Sequence, residues 1–128
     1  MKIIALVGAS PRPHRDSYLC MKALLDEGYI VIPVNPREAG NLILGQHCYK
    51  SLAQIERPVD MVDIFRSSEA ALAVTQEAIA IGASVVWMQL DIRNQQAAEL
   101  AEAAGMRVVM DRCPKIELEK PYWTGIED

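Results

Sequence analysis

The chain has no Gly-Lys-Ser or Gly-Lys-Thr, which excludes a P-loop. Its first apolar run ends on one glycine, Gly8, where a dinucleotide fingerprint would carry three. Aromatic residues make up only 5% of the 128, so the core must be built of Val, Ile, Leu, Ala and Met. The three cysteines, Cys20, Cys48 and Cys113, are widely spaced with no C-x-x-C. That spacing offers no zinc site and fits reduced thiols in the cytoplasm. No apolar run reaches the roughly 18 residues needed to span a bilayer. The longest, "AIAIGASVVWM", is broken by Gly82 and reads as a helix end followed by a strand. No basic segment precedes an apolar stretch at the N-terminus, so no signal peptide is expected. There is no excess of positive charge: the net charge of −4 argues against nonspecific nucleic-acid binding. Repeats, low-complexity segments and Pro/Gly/Ser-rich linkers are also lacking, and one domain over residues 1–128 with a tail from 113 is expected.

What is present is an alternation of buried strands and helices. "KIIALVG" is a continuous apolar run, the mark of a strand covered on both faces. "DSYLCMKALLDEG" has helical spacing, with Asp16 or Ser17 as cap and Gly28 as stop. "YIVIPVN" is a second strand, "VDMVDIF" a third, "ASVVWMQ" a fourth and "MRVVMD" a fifth. Helices fall at "SSEAALAVTQEAIAIG", capped by Ser67 or Ser68, and at "NQQAAELAEAAG". Between Arg37 and Pro58 the pattern is irregular, with room for a short strand and a helical turn near Ser51–Ile55. This order predicts an α/β fold: a single Rossmann-like domain with a five-stranded parallel sheet and helices on both faces. Right-handed crossovers and a doubly wound layout predict strand order 3-2-1-4-5.

In such sheets ligands bind beyond the carboxyl ends of the strands. The five turns there hold Gly8, Ala9, Ser10, Arg12, His14 and Arg15; Asn35, Pro36 and Arg37; Arg66, Ser67 and Ser68; Gln89, Asp91, Arg93 and Asn94; and Asp111, Arg112 and Cys113. Each turn carries arginine. Arginines gathered on one edge of an acidic protein point to a polyanionic ligand, since their forks match phosphate oxygens. The alternative is a solvated surface with local ion pairs to Asp16, Glu38, Glu69 and Asp91. An NAD site wants an acid at the end of the second strand for the ribose hydroxyls, and this chain has Asn35. Ser10 and the amides of Ala9 and Ser10 can still hold a phosphate, and Arg37 stands where an extra ribose phosphate would lie. A nucleotide with a pyrophosphate and a 3′-phosphate would use this set.

The segments "ALVGASPRPHRDSY", "YIVIPVNPRE", "VDMVDIFR", "VVWMQLDIRNQQAAELAEAAG" and "DRCPKIE" together resemble the small stand-alone CoA-binding proteins of the YccU type. These are similar to the N-terminal CoA-binding domain of the succinyl-CoA synthetase alpha subunit. The resemblance runs from about residue 3 to residue 117. It implies coenzyme A or a short acyl-CoA as ligand. Gly8, Ala9 and Ser10 would meet the pyrophosphate, and Ser17 matches the serine that follows this loop. Val34, Asn35 and Pro36 would lie along the nucleotide, with Arg37 near the 3′-phosphate. Ile64, Phe65 and Arg66 would wall the adenine side, and Trp87, Met88 and Gln89 would sit where strand order reverses. Asp91 stands where many relatives have glycine. The synthetase's phosphohistidine context is not found around His14 or His47, so that reaction is not carried over.

Three function classes follow. A binding module would hold CoA without turnover. An enzyme would act on the thioester through His14, Asp91 or Cys113. A nicotinamide-binding redox sensor would use the same sheet, against which Asn35 and the single-glycine loop speak. Cys113 facing the CoA thiol is a further possibility, a semi-buried structural cysteine its alternative. Asp60 and Asp63 fall on opposite faces of a strand, which is not a catalytic pair. The Tyr122–Trp123 tail could clamp on the domain or on a partner, and a homodimer or another protein partner is open.

Overall fold

A computed structural model describes residues 3–89 and 92–110. In chain order its elements are β1 (Ile3–Val7), α1 (Asp16–Asp26), β2 (Ile30–Val34), β3 (Leu42–Ile43), β4 (Gln46–His47), β5 (Met61–Ile64), α2 (Ala71–Ala80), β6 (Val85–Met88), α3 (Gln95–Ala103) and β7 (Arg107–Val109), with 3-10 turns at Pro36–Glu38 and Leu52–Gln54. Five strands form a parallel sheet in the order β2-β1-β5-β6-β7, and β3 and β4 make a separate antiparallel hairpin.

The α/β class and the helices on both faces are as the sequence predicts. α1 covers one face through Cys20, Met21 and Leu24, which pack on Ile4, Leu6, Met61, Val85 and Trp87. α2 and α3 cover the other through Ala71, Val74, Ala78, Ala97 and Ala101, which meet Ala5, Val7, Val62, Ile64, Val86 and Met88. Successive strand residues feed opposite faces, so each strand is apolar throughout. Trp87 is fully buried, a core residue.

The strand order needs correction. Counted along the chain, the sheet runs 2-1-3-4-5, not 3-2-1-4-5: the third sheet strand, β5, lies beside β1 and leaves β2 at the edge. The reason is in Pro33. Its carbonyl faces outward and accepts the Tyr49 N–H at 3.0 Å. Its nitrogen faces the same way and has no hydrogen to donate, so another full strand there would lose a ladder bond. One residue, Tyr49, bridges to Val34 instead, and its carbonyl accepts the Asn35 N–H at 2.9 Å. The irregular segment then wraps round this edge. It supplies Ile43 and Cys48 to the α1 face, and Leu52 and Val59 to the other.

Helix starts also differ from expectation in part. Asn94 caps α3, its Oδ1 accepting the Ala97 N–H at 2.9 Å. Neither Ser67 nor Ser68 caps α2: Ala70 stands at the cap position without a side-chain bond, and Ser67 heads the turn before it, its Oγ accepting from Ala70 N at 3.2 Å. In α1, likewise, neither Asp16 nor Ser17 caps; Arg15 stands at the cap position, and its side chain makes no cap bond.

Candidate functional site: a cationic cavity where the strand order turns

β1 leads to a helix on one face and β5 to a helix on the other, so a crevice opens where their carboxyl ends part. Gly8 makes this junction possible. It has φ +91°, and a Cβ there would stand 2.5 Å from the Phe65 carbonyl oxygen. The glycine thus serves close packing of the loop on the end of β5.

A cavity of about 550 Å³ lies on the α1 side of the crevice. Of the site residues expected from the sequence, Gly8, Ala9, Ser10, Arg12, Arg15, Ser17, Asn35, Arg37 and Phe65 line it, joined by Pro11, His14, Asp16 and Glu38. Val34, Pro36 and Arg66 line a second hollow of about 240 Å³ on the α2 side. Gln89 and Asn94 line neither. Ile64 is 0% exposed within the α2-side core, so its side chain forms no wall for a ligand. Met88 is likewise fully buried. Asp91, Asp111, Arg112, Cys113 and the 113–128 tail with Tyr122 and Trp123 lie outside the described residues.

The first cavity is built by a small hydrogen-bond frame. Asn35 donates from Nδ2 to the Ala9 carbonyl at 2.8 Å and accepts the Arg37 N–H at Oδ1 at 2.9 Å. It ties the β1–α1 loop to the turn after β2, so it braces the site, and both ends of its amide are engaged. Ser10 Oγ accepts the Arg12 N–H at 3.2 Å and shapes the loop. Below lies a buried polar group that sequence reading weighs only as a carboxylate partner for Asp60. Asp63, 0% exposed, accepts from Gln89 Nε2 and from Cys20 Sγ at 3.8 Å. Gln89 is therefore committed to the interior. Its signal was an acid inside an apolar strand, which alternation alone cannot explain. Ser68 was also missed as a brace: its Oγ accepts the Arg93 N–H at 3.0 Å, and its carbonyl accepts from Asn94 Nδ2 at 2.9 Å.

The electrostatics favour an anion. The first N–H groups of α1 face a cap position without a capping side chain, which leaves partial positive charge at the cavity. Ser17, on the first turn, is 4% exposed and lines the cavity, and no group among the described residues pairs with its hydroxyl. Arg12, Arg15 and Arg37 are exposed and none is in an ion pair among the described residues. The expected alternative, pairing with Asp16 and Glu38, is not what these arginines do. Asp16 and Glu38 do line the same cavity. Glu38 is turned to the hairpin approach, where its Oε1 accepts from Asn41 Nδ2 at 3.3 Å.

A doubly wound parallel sheet with a cavity lined by arginines at its switch point is the layout of the Rossmann-like class. Within that class, residues 2–119 match the family model described as a CoA binding domain. The chain belongs to this family. It is 41% identical over 117 residues to the uncharacterized protein YneT of Bacillus subtilis (strain 168), across 90% of this chain and 84% of that one. A solved Thermus thermophilus structure, cell-free ID.343, is 35% identical with a TM-score of 0.89, over 93% of this chain and 89% of that chain. The likeness extends to part of a larger enzyme. A dinucleotide forming acetyl-coenzyme A synthetase of Ca. Korarchaeum cryptofilum, in complex with phosphate and ADP, is 26% identical with a TM-score of 0.74. The match covers 86% of this chain and 26% of the synthetase.

Proposed function

We propose that the protein is a binding module for coenzyme A or a short acyl-CoA, without turnover of its own. The diphosphate lies in the larger cavity, on the N–H groups of α1 and the Ser17 hydroxyl, with Arg12, Arg15 and Arg37 around it. The observation that carries this is Ser17: a hydroxyl on the cavity wall, at a helix start without a side-chain cap, with no partner among the described residues. The hydroxyl is open to the cavity and not engaged elsewhere among those residues, so it can donate to or accept from a ligand there. The cavity of about 550 Å³ falls in the usual small-molecule range of about 300–1,000 Å³. Asn35 supports CoA over NAD, because it is engaged as a brace and brings no carboxylate to a ribose diol. Membership of the CoA-binding family supports the same ligand.

Calorimetric titration and thermal melts with CoA, dephospho-CoA, acetyl-CoA and NADH test this. Ligand at 100 times its dissociation constant stabilises a fold by about 2.7 kcal/mol. CoA and acetyl-CoA are expected to raise the melting temperature, and acetyl-CoA to be recovered intact after incubation. A shift with NADH alone overturns the ligand; consumption of acetyl-CoA overturns the assignment as a module.

A further inference from the structure

The smaller hollow of about 240 Å³ is back to back with the cavity across the sheet edge. Val7 lines the hollow and Gly8 the cavity; Val34 and Pro36 line the hollow, Asn35 and Arg37 the cavity; Arg66 lines the hollow, Phe65 the cavity. At the ends of β1, β2 and β5 this follows from strand geometry, since successive residues at a strand end project to opposite faces, and the 3-10 turn at Pro36–Glu38 places Pro36 on one side and Arg37 on the other. The hollow has an apolar floor of Val7, Val34, Leu52 and Val74. Its rim carries two cations, Lys50 and Arg66, and a carboxylate, Glu77, and none of the three is in an ion pair among the described residues.

We infer that Lys50, with Arg66, reads the ribose phosphate of the nucleotide, while Arg37 serves the diphosphate. This rests on the CoA assignment above. The hollow is below the size of a whole small-molecule site, so it takes one part of a ligand. An apolar floor under a cationic rim fits a flat base whose sugar carries a phosphate. With the diphosphate in the cavity and the base in the hollow, the ribose crosses the ridge at Gly8. The Arg66 stem passes there: its Cδ lies 3.3 Å from where a Gly8 Cβ would be. Arg37 lines the opposite hollow from Lys50 and Arg66, so it is on the wrong side of the ridge for this phosphate.

Lys50 is presented by a fixed backbone. Tyr49 is held to Pro33 and Asn35 by hydrogen bonds of 3.0 and 2.9 Å, and the Lys50 N–H donates to Gln54 Oε1 at 3.2 Å. Its position depends on the chain wrapping the β2 edge, which is why no spacing in the sequence singles it out.

The test is calorimetric titration of the full chain with CoA, dephospho-CoA and adenosine 3′,5′-bisphosphate. Wild type, Lys50→Met, Lys50→Arg and Arg37→Ala are compared, with a thermal melt of each to verify folding. Wild type is expected to prefer CoA to dephospho-CoA. Lys50→Met should weaken CoA and the bisphosphate roughly tenfold, as loss of a charge-assisted contact does, and leave dephospho-CoA unchanged. Lys50→Arg should keep the preference. Arg37→Ala should weaken CoA and dephospho-CoA alike. The inference is overturned if Lys50→Met retains the wild-type preference, if Arg37→Ala alone abolishes it, or if wild type binds both CoA species equally. If wild type binds neither, the assignment as a CoA module falls and this inference with it.

Discussion

Gly8 and Ser17 illustrate two ways in which one residue serves the site. Gly8 is needed for its backbone, at φ +91° and in contact with the end of β5. Gly8→Ala should cost about 2–4 kcal/mol, from a left-handed φ and a steric clash together, read as a lower midpoint in urea unfolding. Ser17 is needed for its hydroxyl. Because that hydroxyl pairs with no group among the described residues, Ser17→Ala should leave stability within about 0.5 kcal/mol of wild type. The same change should weaken CoA roughly tenfold by calorimetry, since a phosphate contact is lost. A Ser17→Ala protein that unfolds early but binds normally would assign the hydroxyl to structure instead.

The helices divide by how their first turns are satisfied. α3 closes its own with Asn94, whereas α2 and α1 have Ala70 and Arg15 at the cap position and no side-chain cap. Of these two, α1 is the one whose start lines the larger cavity. Supplying the missing cap should therefore separate stability from binding. Arg15→Ser is expected to stabilise the apo protein by about 1 kcal/mol, the usual worth of an N-cap serine. It should also weaken CoA, because the new cap competes for the first-turn N–H groups and a cation is gone. Melting temperature without ligand and affinity with it should move in opposite directions.

At the scale of the whole molecule, an acidic protein of net charge −4 places around one cavity three arginines that form no ion pair among the described residues. The segment wrapping the β2 edge carries a second whole-molecule consequence. It buries Cys48 completely, and that burial pushes the thiol above its ordinary value of 9.0; a backbone hydrogen bond at Asn35 works against this, and the Glu38 carboxylate adds to it. The folded chain thus keeps the thiol neutral at pH values where the unfolded chain ionises it. This contribution to stability is complete below the ordinary thiol value and is lost as pH rises through the raised one. Urea unfolding at about pH 7.5 and about pH 9.5 should show a larger alkaline loss for wild type than for Cys48→Ala. Equal losses would remove Cys48 from the alkaline response.

The sequence by itself determined the class of fold. Apolar runs of strand length, helical spacing and stops at Gly28, Gly82 and Gly105 are local properties, and each acts within a few residues. It also determined most of the first cavity, because the loop after β1 and the turn after β2 must meet at one edge of any such sheet. Pro33 already held the mark of an edge strand, but only its partner Tyr49 makes that mark decide the strand order. What tertiary structure alone decided is which side of the sheet edge each residue serves. A one-residue step along a strand end exchanges one hollow for the other, so Arg37 and Arg66 part company although both follow strands. The interior placement of Gln89 and Ile64, and the arrival of Lys50 at the rim, likewise depend on contacts between segments far apart in the chain. Periodicity carries no information about such contacts, because it registers which face a side chain takes and not what meets it there.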